Sequence, residues 1–426
     1  MEAAVRQPSG AKLLRILAND IHLRHERHHV QHRVARDCGG IRTVPVAGQL
    51  GILGLPAAYG LILFSLGSLI GLFAPHYWVI LIGRVLQAAG AAVIPAISEI
   101  IPVRYFPPES RGRAFGIVMT GLAIGSALGP VVAAFVMSVL NWQWLFCMPL
   151  FALLTVPYYF KHLNDKPSCA AGIDWPGGGL FACATALLLA VTNASWMYAG
   201  GFLVLFMLFL ARIRTAPEPF ITPELLRNKP FVSGLAVMFV TTGIGFALVF
   251  LSPQLLANVN RLEPGLLGFA LVPAAIATAL LGRLGGALAD RKGHLFLYFL
   301  ATSQLAVSFM LMSTFAGMSP VLIAVVLIFG NVGQSFLSIS LSIAVSRSLP
   351  QEQTGVGMGL MAMLSFIASA FASGIYAGII DRGADAAWNP VNGHPEAAVY
   401  SNLYLALAVL HLLLMLGRYA KAARST

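Results

Sequence analysis

The sequence predicts an all-α membrane protein, a bundle of about twelve transmembrane helices, from its composition, its apolar runs and its loop charges. Of its 426 residues 58% are hydrophobic and 10% charged, with a mean hydropathy of +0.80. A soluble domain carries roughly 25% charged residues because its surface faces water. Apolar runs long enough to cross a hydrocarbon core of about 30 Å recur along nearly the whole chain. They lack the period-two alternation of barrel strands, so the backbone must satisfy itself as helix.

Charged and Gly/Pro breaks place a first series of spans near 55–74, 78–101, 113–137, 141–160, 176–193 and 195–211. A second series follows near 231–256, 264–288, 295–315, 319–345, 355–380 and 399–417. Alternate connections hold Arg104, Arg111 and Arg113; Lys161 and Lys166; Arg212, Arg214, Arg227 and Lys229; Arg291 and Lys292; and Arg347. The tail adds Arg418, Lys421 and Arg424, whereas the opposite connections hold Arg261 and Arg382. Positive residues stay inside, so the first set and the C-terminus are expected in the cytoplasm.

That placement also accounts for the net charge of +11 and argues against a nucleic-acid partner. Cys38, Cys147, Cys169 and Cys183 show no metal-ligand or paired spacing and read as small buried hydrophobes. The spans contain no H-E-x-x-H, paired carboxylates or nucleophile–base set, and no Walker loop, so neither an enzyme nor direct ATP drive is expected. No metal and no cofactor is expected.

Residues 1–54 stand apart. Eight of the 27 Lys and Arg residues precede residue 47, and His22, His25, His28, His29 and His32 are five of the ten histidines. The segment has no apolar core for a signal peptide, and no acidic or cysteine partners stand at ligand-like spacing from its histidines. A disordered tail and a non-native translation product are the readings open for it.

Residues 83–92 read G-R-V-L-Q-A-A-G-A-A, residues 116–134 G-I-V-M-T-G-L-A-I-G-S-A-L-G-P-V-V-A-A, and residues 286–294 G-A-L-A-D-R-K-G-H. In order and position these resemble the helix-four arginine motif, the antiporter motif and the G-x-L-x-D-R-x-G loop of the major facilitator superfamily. The chain looks most like the fourteen-helix drug/proton antiporters, and in 284–295, 344–360 and Ser401-Asn402-Leu403 like the Gram-positive tetracycline/proton subgroup. The likeness covers roughly 60–417. It puts the antiporter motif on helix five, whereas here the motif lies on the third visible span. Two front helices and the first-half D-R-x-G loop are therefore expected to be missing, through a frameshift or misassigned start before Gly54-Leu55-Pro56-Ala57-Ala58.

The resemblance implies a monomeric, multi-pass protein of the bacterial inner (plasma) membrane that exports drugs or other small amphipathic compounds. Protons are the coupling ion it implies, and alternating access the mechanism. It implies an N-terminal half at 55–160, a linker hairpin within 161–230 and a C-terminal half at 231–426. An uptake permease, a non-transporting sensor and an inactive truncated transporter remain as alternatives.

The residues themselves say the following. Gly121, Gly125 and Gly129 recur every four residues along one helix face and predict a tightly packed helix pair. Pro130 removes a backbone donor and bends that helix. Gly116 opens the motif, and Ala133 and Ala134 replace its usual glycine pair. Arg84, among apolar neighbours, must either face a cavity with Gln87 or snorkel to the surface. The resemblance assigns it to proton coupling. Glu99, the one acidic residue well inside a span, either carries a proton or pairs with a loop arginine such as Arg104. Gly286, Asp290, Arg291 and Gly293 form a loop whose carboxylate can cap helix ends and pair with basic residues across the bundle, the alternative being plain solvated turn charges, and Gly293 allows a tight turn. Gln304, Asn331 and Gln334 either line a substrate path or bond between helices. Phe239, Phe246 and Phe250 suit a greasy cavity or plain packing. Ser126 and Ser369 stand where the tetracycline subgroup has acidic residues, which casts doubt on tetracycline as substrate.

Overall fold

The computed structural model describes residues 54–157, 174–193, 195–350, 353–384 and 386–423. Side chains of residues 54–57, 130, 131, 134, 193, 264, 265 and 419–423 lie outside that description, and so do the His-rich start, Cys38, Cys169 and the side chain of Pro130. The described elements are helical throughout. In chain order they are α1 (Gly54–Leu72), α2 (Tyr77–Ala91), α3 (Val93–Tyr105), α4 (Arg111–Val139) and a 3-10 segment (Trp142–Thr155). There follow α5 (Trp175–Asn193), α6 (Ala199–Thr215), the short α7 (Pro223–Arg227), α8 (Lys229–Asn258) and α9 (Pro264–Lys292). The last four are α10 (His294–Phe315), α11 (Pro320–Arg347), α12 (Thr354–Arg382) and α13 (Ala398–Ala423).

Each of the twelve expected apolar segments falls on a helix. Among the described residues ten are long and apolar enough to cross a membrane, while Ala58–Leu72 and Trp142–Thr155 are shorter. The expected span at 78–101 is not one straight helix. It divides at Ala92 into α2 and α3, because Pro95 lacks the N–H that would bond the Ala91 carbonyl.

Starts and stops follow local chemistry. Proline occupies the first turn of α7, α8, α9 and α11, where its missing donor would be unsatisfied anyway. Asn228 caps α8 by accepting the Phe231 N–H at 3.1 Å, and its amide donates to the Ser348 carbonyl at 2.7 Å. α9 ends at Gly293, whose φ of +89° is open to glycine and strained for other residues. Asp290 and Arg291, expected in a loop, therefore sit in the last turn of α9.

The best-buried core lies among α8, α10, α11 and α13, around Phe309, Tyr404, Leu251 and Leu305. Lipid supplies no hydrophobic force between helices, so packing and interhelical hydrogen bonds hold them, each bond worth about 0.6 kcal/mol on average. The bonds here include Ser252 Oγ with Tyr404 Oη at 2.9 Å, Asn258 to Tyr400 Oη at 3.0 Å and Tyr376 Oη to the Gly243 carbonyl at 2.9 Å.

Close glycine contacts knit α1 to α2 in antiparallel fashion. A Cβ at Gly67 would lie 2.5 Å from the Gly83 carbonyl, and one at Gly60 3.0 Å from the Gly90 carbonyl. α4 packs along α9, and α3 and α5 both touch α12.

Candidate functional site

The first and second helical series meet most closely where α4 begins. Asp290, at the end of α9, accepts the N–H groups of Gly112 at 2.8 Å and Arg113 at 3.0 Å. The Arg113 guanidinium stands 3.7 Å from the same carboxylate, whose side chain is only 6% exposed. The first N–H groups of a helix have no partner within it, and the helix dipole favours a negative charge there. The α9 carboxylate thus both caps α4 and pairs with Arg113 across the bundle. Arg291 is exposed and takes no part in this contact.

Glycine permits the approach. A Cβ on Gly112 would lie 2.5 Å from Asp290 Oδ1 and 2.5 Å from the Gly286 carbonyl. One on Gly116 would lie 2.7 Å from the Gly282 carbonyl. Thr120 continues the seam, donating to the Ala279 carbonyl at 3.1 Å. The expected packing face is corrected here: no atom would come within 4 Å of a Cβ at Gly121, Gly125 or Gly129, and all three are exposed. Along the α4–α9 seam the small residues in contact are Gly112, Gly116, Gly282 and Gly286.

Two titratable groups inside spans are handled differently. Glu99 on α3 faces the Ser342 hydroxyl of α11, and its Oε2 is buried with no hydrogen-bond partner. The group the sequence offered to a nearby loop arginine therefore reaches across to the second series. Arg84 on α2 is exposed; its Nη1 is 3.4 Å from Gln87 Oε1, and its guanidinium lies 4.8 Å from the centre of the Phe146 ring. Gln87 is buried and donates to Ser68 Oγ at 2.7 Å, which donates to the Phe64 carbonyl at 2.8 Å. Arg84 and Gln87 are thus in contact, as their one-turn spacing suggested. Ser68 and Phe146 carried no sequence signal.

The polar candidates divide. Gln304 donates to the Phe329 carbonyl at 3.0 Å and so bonds α10 to α11. Asn331 donates to Leu327 of its own helix at 2.9 Å. Ser126 and Ser369 donate to the carbonyls of Ala123 and Ser365, both at 2.9 Å. Gln334 is different, since its Oε1 is buried without a partner and presses against Gly245 of α8.

Close by, Phe246 and Phe250 stack at 6.2 Å, and Tyr376 continues the row 6.3 Å from Phe250. Phe239 pairs with Phe371 at 6.5 Å. These rings form an aromatic ladder between α8 and α12. Tyr376 and Phe371 were missed in the sequence because α12 reads as an unbroken apolar run.

A second charged cluster fixes the α5–α6 hairpin. Asp174, with a side chain 2% exposed, accepts from Arg212 Nη2 at 3.1 Å and Nε at 3.2 Å. It also accepts the N–H groups of Gly177 at 3.1 Å and Phe220 at 3.3 Å. Burial alone pushes this carboxyl up, but the hydrogen bonds and the guanidinium hold it below the ordinary carboxylate value. Phe181, Phe209 and Phe220 cluster beside it. Among the described residues no group of three or more His, Cys, Asp or Glu side chains could hold a metal ion.

Comparison with known proteins agrees with this architecture. The family model described as Major Facilitator Superfamily matches residues 56–373. The riboflavin transporter RibZ of Clostridioides difficile is 26% identical over 332 residues, covering 75% of this chain and 72% of RibZ. The multidrug efflux pump SdrM of Staphylococcus aureus is 27% identical over 324 residues, covering 73% and 70%. Multidrug resistance protein 3 of Bacillus subtilis is 27% identical over 244 residues, where the match spans 54% of this chain and 47% of that protein. Among solved structures, the human organic anion transporter MFSD10 superposes with a TM-score of 0.61 at 16% identity, covering 87% of this chain and 79% of that one. A POT family transporter gives 0.60 at 13% identity, covering 89% and 84%. These two likenesses are of fold.

Proposed function

The chain belongs to the major facilitator superfamily, and on that premise we propose that it is a proton-coupled exporter of small amphipathic compounds. The observation that carries this reading is the contact of α4 with α9, capped by Asp290 and seamed by glycine. Alternating access needs two helical halves that close at one face and part at it in turn. A capped, glycine-lined seam at the basic rim is a junction of that kind, made of short-range bonds that break together. In this reading residues 55–160 and 231–426 are the halves, the hairpin within 161–230 links them, and the basic rim with the C-terminus faces the cytoplasm.

Glu99 is then the proton-carrying group. Protonation gives its carboxyl a donor as well as acceptors, which changes how it engages Ser342 of the opposite half. Arg84 and Gln87 form a second polar station. Gln334 and the Phe246–Phe250–Tyr376 ladder line the path of the compound. Likeness to efflux pumps favours export, while Ser126 and Ser369 leave no fixed carboxylate for a tetracycline-type site. The likeness to the riboflavin transporter RibZ supports a second reading, transport of a flat aromatic compound along the same ladder, with uptake as the alternative direction.

Accumulation of ethidium, tetracycline and riboflavin in cells expressing the full chain tests the choice. Export predicts lowered accumulation that returns to control when the proton gradient is collapsed. Raised riboflavin accumulation favours uptake, and unchanged levels of all three contradict both readings.

A further inference from the structure

Beside the Asp290 cap lies a cavity of about 530 Å³ that the transport reading leaves unused. Arg104, Tyr105 and Arg111 line it from the first series, and Ser346, Thr354 and Gly355 from the second. Arg111 is fixed in the wall, donating from Nη2 to the Val103 carbonyl at 3.2 Å and from Nε to that of Phe106 at 3.4 Å. Arg347 and Glu109 are both close enough to act on Arg111. Two guanidinium groups thus line this space, and no carboxylate is among the described residues that line it.

The wall opposite the arginines is the start of α12. Its cap residue, Gln353, makes no side-chain cap bond, and its first turn holds no acidic residue. The leading N–H groups of a 29-residue helix thus open toward a cationic cavity. α4 is the internal comparison: the same kind of helix start is filled there by the Asp290 carboxylate.

We propose that this cavity binds a phosphate monoester dianion, which bridges Arg104 and Arg111 to the start of α12. Phosphate offers oxygens to both the planar guanidinium forks and the backbone donors, and a dianion matches the local excess of positive charge. Because the two walls belong to different helical series, the bound anion holds the basic rim closed and so regulates opening. The source is either a soluble phosphate ester or the headgroup of an anionic lipid such as phosphatidate. The inference rests on the fold and the cavity, whichever direction transport takes.

Binding of radiolabelled inorganic phosphate to the purified full chain, at constant ionic strength, is the first arm of the test. Saturable binding is expected, weakened about tenfold by Arg104→Gln or by Arg111→Gln. The paired Lys variants should retain part of it, and Arg261→Gln, at the opposite face, all of it. The second arm places the chain in phosphatidylcholine nanodiscs with and without phosphatidate and follows thermal unfolding. Stabilisation by phosphatidate alone assigns the lipid source, and binding of free phosphate assigns the soluble one. A third arm needs no variant: phosphate or phosphatidate should protect Arg104 and Arg111 of the native chain from phenylglyoxal. Failure of both ligands to bind or protect, or an equal effect of chloride, overturns the proposal. Neither outcome depends on whether the chain exports a drug.

Discussion

The carboxylate of Asp290 accepts the backbone N–H of Gly112 at 2.8 Å across 178 residues of chain, so the last turn of one helix caps the first turn of another. Replacing Asp290 by Ala removes a charged cap and its dipole interaction, together worth about 1–2 kcal/mol. The expected outcome is a shift of roughly five- to thirtyfold toward a rim-open form. Accessibility of a cysteine replacing the buried Ala289, next to Asp290, to a membrane-impermeant thiol reagent in inside-out vesicles measures it.

Gly112→Val and Gly286→Val should each disrupt the seam at a cost of about 1–3 kcal/mol, since the added atoms meet backbone with no room to yield. Gly121→Ala, Gly125→Ala and Gly129→Ala meet nothing within 4 Å and should be neutral or slightly stabilising, as Ala favours helix by roughly 0.5–1 kcal/mol. Thermal unfolding of the five variants in one detergent separates the two groups.

That contrast shows where sequence reading stops. Twenty-residue apolar runs specify helices because lipid leaves the backbone no alternative, and all twelve were legible. Glycines at every fourth position reveal a small-residue face but not the helix that covers it, so the seam was assigned to Gly121, Gly125 and Gly129 instead of Gly112 and Gly116. Glu99 was weighed against Arg104, its sequence neighbour, while Ser342 lies on a distant helix that local spacing cannot report. Asp290 could be read as a cap because the motif joins a carboxylate to a helix-ending glycine, though which helix it caps required the three-dimensional arrangement.

Asp174 supplies a pH prediction. Its folded carboxyl titrates below the ordinary value, so its stabilisation is present above the unfolded pKa of about 3.9 and is lost as pH falls through the folded value. Hydrogen exchange across 175–215 should therefore be steady from neutral pH to about pH 4, after correction for intrinsic rates, and accelerate below it. Asp174→Asn should loosen the hairpin at neutral pH and abolish that acid dependence.

Gln87→Leu keeps most of the volume but removes the bonds to Ser68 and Arg84. Ser68 retains its bond to Phe64, so the loss in stability should be modest, about 1 kcal/mol. Transport should fall more than stability if Arg84 must be held over Phe146, and flux per folded molecule is the quantity that checks it.

The most direct measurement is proton movement driven by a drug gradient in vesicles containing the purified chain and a trapped pH indicator. Wild-type protein should move protons opposite to the drug, and Glu99→Gln should abolish that proton flux while leaving drug binding intact. Drug movement without proton movement in the wild type, or an undiminished proton flux in Glu99→Gln, would contradict proton exchange through Glu99.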